Sequence, residues 1–155
     1  MNESELVTKL FDFLDEEGVY APACIKSWNA EELPRLAEPI VRQVVNLIAE
    51  KRYEGIPQIA ELENNWTLDD LREALDGFLE CNDLPYIDPF EVPCTFHPQY
   101  EYHQLTCYFC PDRRYFDVDY QLTTDGDLND LTLQLRFHLT PSKTMTVGFL
   151  DVHVM

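Results

Sequence analysis

Hydrophobic residues recur every three or four positions up to about residue 82 and every second position after about residue 115, and neither an all-helical nor an all-strand fold accommodates both periods. In the first part Leu6, Val7, Leu10, Phe11, Phe13 and Leu14 mark a helix over about 5–17, with Ser4 as candidate N-cap and Gly18 where a left-handed C-terminal cap belongs. Ile40, Val41, Val44, Val45, Leu47 and Ile48 form a broad apolar stripe opposite Arg42, Gln43, Asn46 and Glu50. A second helix is expected to begin near Pro39, whose fixed φ suits a first turn, after a loop holding at most a short turn near Ala30–Leu36. Gly55 and Pro57 punctuate the next stretch of chain, and a short helix is expected through Glu61. Thr67 stands three residues before Asp70 in capping-box fashion, opening a helix over about 68–80 with Leu68, Leu71, Leu75 and Phe78 on one face.

The strand signal is clearest after residue 115. Phe116, Val118, Tyr120 and Leu122 alternate with Asp117, Asp119, Gln121 and Thr123, and Leu131 to Leu139 alternate in the same way with Thr132, Gln134, Arg136 and His138. The turn-rich TDGDLND and Pro141-Ser142-Lys143 make 115–155 a three-stranded meander. In the last strand Met145, Val147 and Phe149 keep one phase and Leu150, Val152 and Val154 the other, which predicts a bulge at Gly148. The expected fold is α+β: N-terminal helices packed on one face of a curved, cone-like antiparallel sheet. The chain of 155 residues is read as one domain, with a helical part of about 1–82, a cysteine-rich connecting segment of about 83–114 and the meander of about 115–155.

Charge narrows the function classes. Eleven Lys and Arg against 29 Asp and Glu leave a net charge of −18, with 20 of the acids in residues 1–90, so phosphate backbones and anionic membranes would be repelled. No apolar run approaches the roughly 18 residues that span a bilayer, and the acidic N-terminus lacks the character of a signal peptide. A cytoplasmic location is therefore expected, with no nucleic-acid or membrane partner. There Cys24, Cys81, Cys94, Cys107 and Cys110 would be free, buried or metal-bound rather than disulfide-linked.

The runs PIVRQVVNLIAEKRYEGI, TLDDLREALDGF, FDVDYQLTTDGDLNDLTLQLRF and FLDVHVM resemble the nuclear transport factor 2-like (cystatin-like) fold. More narrowly, they look like a family of small bacterial domains with an R-Y-E-x-I segment, an L-R-E-A-L helix, a D-L-T-L strand and a D-[IV]-H-V ending. The resemblance covers about 38–80 and 115–155; the segment 81–114 departs from it. It implies a cone-shaped domain of a kind that occurs among toxin–immunity systems.

Three sets of residues carry possible chemistry. Cys94-x-x-His97 and Cys107-x-x-Cys110 have the two-residue gaps that can close a tetrahedral structural zinc, although free thiols on strands fit the aromatic surroundings better, and no cofactor is expected. His138, Asp151 and His153 are the candidates for acid–base or ligand-binding groups in a pocket between helices and sheet. No nucleophile elbow, phosphate loop, dinucleotide fingerprint or metalloprotease motif is present, so a non-enzymatic protein is expected. Acid clusters interleaved with Trp28, Trp66, Tyr86, Phe90 and Tyr100 suit capture of a basic partner by electrostatic steering and buried rings. The expected surface lies on the acidic helices and the segment 83–112, with Asp83, Tyr86, Asp88, Phe90, Glu91, Tyr100, Glu101 and Asp112 as its contact residues. The favoured reading is a bacterial immunity protein, monomer or homodimer, that occludes a basic toxin such as a nuclease. The alternatives are a small-molecule or catalytic pocket protein and an acidic mimic of nucleic acid.

Overall fold

The computed structural model describes residues 2–16, 26–110 and 114–154, with the side chain of Cys110 outside the described set. Helix α1 spans Glu3–Asp15 and is capped by Asn2, whose side chain accepts from the Glu5 N–H at 2.8 Å, rather than by Ser4. The expected cap at Gly18 lies outside the described residues.

The second helix begins earlier than its proline suggested. A π-helical turn, Trp28–Glu32, runs into α2, Leu33–Ala49, with Pro34 in the first turn and Pro39 inside the helix. Burial explains the difference: Leu33, Leu36 and Ala37 join Val41, Val44, Val45 and Ile48 in one core-facing stripe, while the Pro39 ring sits on the solvent side, where water can satisfy the carbonyl that the ring leaves free. A 3₁₀ turn, Tyr53–Gln58, replaces the expected short helix and leads into β1, Glu61–Leu62. Helix α3, Leu68–Cys81, starts as predicted, with the Thr67 hydroxyl and the Asp70 carboxylate each bonded to the other residue's N–H at 3.1 Å.

Strands β2 (Leu105–Cys110), β3 (Tyr115–Thr124), β4 (Asp127–Leu139) and β5 (Met145–Val154) pair antiparallel in the order β5-β4-β3-β2, and β1 adds in parallel beside β5. The sheet is thus mixed at one edge, in an α+β architecture. Asp125 and Gly126, both with positive φ, close the β3–β4 hairpin between Thr124 and Asp127. The bulge in the last strand falls at Leu150 rather than at Gly148: Leu135 pairs with Phe149 and Gln134 with Asp151. That extra residue keeps Phe149 on the same face as Val152, so both apolar phases of the strand deliver buried side chains to the helix-covered side. Gly148 serves a different purpose, because the Glu63 carboxylate crosses it in the space a Cβ would need.

The core lies between the helices and this face. Phe116 stacks on Phe137 at 4.7 Å, Trp66 meets Phe149 edge-on at 5.6 Å, and Phe13 packs against Trp28 and Phe109. Among the described residues, no helix is long and apolar enough to cross a membrane.

Candidate functional site

Between α3 and β2 the chain runs from residue 82 to 104 with no helix or strand, and side chains together with isolated backbone bonds, such as Asp88 N–H to the Thr123 carbonyl at 2.8 Å, hold it in place. Asp88 is the principal anchor. Its carboxylate accepts from the Thr123 hydroxyl at 2.8 Å and from the N–H groups of Asp125 and Gly126 at 3.0 and 2.7 Å, capping the β3–β4 turn. The Thr95 N–H donates to the Gly126 carbonyl and its hydroxyl to Asp127, the Thr124 hydroxyl donates to the Tyr86 carbonyl, and Asn46 of α2 receives the Phe90 N–H. Gly126 matters twice, since a Cβ there would stand 3.0 Å from the Pro93 carbonyl and its φ is +84°.

This strapping turns rings outward. Of the five large hydrophobic side chains exposed among the described residues, four belong to this stretch and β2: Tyr86 at 42%, Phe96 at 38%, Tyr100 at 67% and Tyr108 at 51%. Phe96 packs edge-on against Tyr100 and Tyr102, and Tyr86 donates its hydroxyl to Asp125, a bond that raises the phenol's pKa. Exposed carboxylates lie on the same stretch and on the hairpin it crosses: Asp83, Glu91, Glu101, Asp125 and Asp127.

The surface expected from sequence divides accordingly. Asp83, Tyr86, Glu91, Tyr100 and Glu101 are exposed as expected. Asp88 is not part of it: only 4% exposed, it is an internal cap of the hairpin. Phe90 is half-buried, stacked on Tyr120 at 5.4 Å with the Arg42 guanidinium 4.5 Å above its ring, and Trp28 is core. Asp112 lies outside the described residues. Sequence reasoning missed Phe96, Tyr108 and the hairpin acids Asp125 and Asp127; the phase of Tyr108, opposite to that of the core-facing Cys107, was the available signal.

A cavity of about 960 Å³ opens between the start of α2, residues 90–93 and β2. Glu38, Glu91, Glu101 and Lys26 line it together with Phe90, His103, Gln104 and Tyr120, and His103 lies 2.9 Å from the Glu101 carboxylate. Gln104 donates to the Tyr120 hydroxyl at 3.0 Å, and burial pushes that phenol up to about 12, so it stays protonated at neutral pH.

His138, Asp151 and His153 do not enter this cavity. The alternation that buries Phe137 and Val152 places them on the opposite, polar face of the sheet, so a pocket built on these three groups is corrected by the register. There His138 bonds Glu63 at 3.1 Å, His153 lies 3.1 Å from Asp151, and Arg136 makes a two-pronged pair with Asp117 at 2.6 and 2.9 Å over the Tyr115 ring. Asp119 shares that face; burial without a partner for its Oδ1 raises its pKa.

The cysteines separate as well. Cys107 is buried and burial pushes its thiol up to about 12, whereas His97 is exposed and Cys94 half-buried. Among the described residues, no three His, Cys, Asp or Glu side chains gather as a metal site.

A family model described as "Domain of unknown function (DUF7668)" matches residues 45–155, and the chain belongs to that family. The match takes in the C-terminal end of α2, the connecting segment and the whole sheet. No curated protein and no solved structure matches the chain.

Proposed function

We propose that this member of the family is a non-enzymatic binding protein that captures a basic protein through the surface of residues 83–108, and more specifically an immunity protein that occludes a basic bacterial toxin. The observation that carries the reading is the concentration of exposed rings, Tyr86, Phe96, Tyr100 and Tyr108, among exposed carboxylates on a segment strapped to the sheet. Monomeric proteins rarely leave rings packed together in solvent, as Phe96 and Tyr100 are, unless something covers them. Tyr is moreover a residue type on which binding energy concentrates, and a ring of carboxylates accelerates encounter with a cationic surface. A net charge of −18 supplies the long-range field.

The test compares tagged wild-type protein with a Tyr100→Ala/Glu101→Lys variant as bait in the same lysate, at low and moderate salt. One basic protein should be recovered in stoichiometric amount by the wild type and about tenfold less by the variant, because losing one anchor ring costs on the order of 1–2 kcal/mol. Co-expression should then relieve growth arrest caused by that protein for wild type and not for the variant. Equal recovery by both baits, or recovery of no basic protein, would overturn the reading.

A further inference from the structure

We propose that the cavity beside β2 is a receptor for an arginine side chain presented by an extended basic segment of the partner, an inference that rests on the binding-protein reading above and specifies its contact. Glu38 of α2 and Glu91 of the 82–104 segment stand close enough to share one guanidinium, and Glu101 reaches the cavity from the end of that segment, where it pairs with His103 at 2.9 Å; Lys26 also lines the walls. The molecule already binds a guanidinium at this rim: Arg42 lies 4.5 Å over the Phe90 ring and 3.3 and 3.5 Å from Glu38 and Glu91. Its pairs are exposed and therefore weak and exchangeable, which leaves both carboxylates able to take a second donor. A flat, forked guanidinium can share the two neighbouring carboxylates that Arg42 holds from the rim, which a compact ammonium matches less well. At about 960 Å³ the cavity is larger than one side chain and accommodates neighbouring residues of the same segment. Tyr108, exposed at its mouth, continues the contact toward the outer face of the sheet.

The probe is a fluorescein-labelled peptide, acetyl-Gly-Arg-Gly-Arg-Gly-amide, titrated by anisotropy at low salt beside versions carrying lysine or citrulline instead of arginine. The arginine peptide should bind at least about tenfold more tightly than the citrulline peptide and several-fold more tightly than the lysine one. Glu91→Gln/Glu101→Gln should lose most of that binding, whereas Glu3→Gln/Glu5→Gln, which removes the same charge from α1, should not. Equal affinity for arginine and citrulline, equal losses in the two double variants, or no binding of the arginine peptide would overturn the inference. If the Tyr100→Ala/Glu101→Lys bait loses its basic partner while the peptide fails, the partner-binding reading stands and only the cavity's assignment falls. If the peptide binds and no basic protein is recovered, the cavity is an arginine site and the partner-binding reading falls.

Discussion

Aromatic residues meet opposite fates in two regions of this chain. In the meander, Phe116, Phe137 and Phe149 are fully buried under the helices, whereas Phe96, Tyr100 and Tyr108 on the connecting segment and β2 face solvent. Residue type does not separate the two groups; periodicity and backbone pairing do. Rings on the helix-facing phase of a strand are buried, whereas Tyr108 takes the opposite phase of β2, and Phe96 and Tyr100 lie on a segment without a period, where rings are buried only where tethers place them. Each region also contains one carboxylate that breaks its own rule: Asp88, sequestered on the exposed segment, and Asp119, half-buried and lacking a partner for one oxygen on the sheet.

These contrasts can be broken one residue at a time. The largest loss should come from Phe137→Ala, which removes a ring stacked on Phe116 in a closed core; about 3–5 kcal/mol of unfolding free energy should disappear in a urea titration. Asp88→Asn should come next, at about 2–3 kcal/mol, since an amide nitrogen cannot accept from the Thr123 hydroxyl and the hairpin N–H groups that the carboxylate now serves. If Asp88 instead belonged to the contact surface, that substitution would leave stability unchanged. Tyr100→Ala should alter stability by less than about 0.5 kcal/mol, because an exposed ring has little to lose on unfolding.

The smallest effect concerns Asp119 and appears as a slope. Its folded-state pKa lies above the reference value of 3.8, chiefly through burial, so in that window the folded protein holds a proton that the unfolded chain has released. Stability should therefore fall as pH rises from 3.8 through the raised value and level off above it. In Asp119→Asn the group no longer titrates, so stability relative to wild type should increase across that interval when measured by urea denaturation. A gap that shrinks with rising pH would show that charged Asp119 has a stabilising partner.

The elements were largely legible from local pattern. Thr67 with Asp70 announced α3, the alternating residues of 116–122 and 131–139 announced β3 and β4, and Asp125-Gly126 announced their turn. The start of α2 was misread because Pro39 carries a strong local signal that the longer stripe from Leu33 overrides. The surface of residues 83–108 was legible in Asp83, Tyr86, Glu91, Tyr100 and Glu101, and wrong at Asp88, whose partners lie 35 to 38 positions away.

The sequence by itself therefore determined the helices, the meander and the acidic character of the surface, since periodicity, capping and net charge are properties of neighbours along the chain or of its total. Tertiary structure alone decided that β1 would join β5 in parallel and that Glu38, Glu91 and Glu101 would meet around one cavity. Those outcomes depend on strand register and on which loop crosses which turn. A one-residue shift reverses every side chain of a strand, and no local pattern encodes a contact between segments dozens of residues apart.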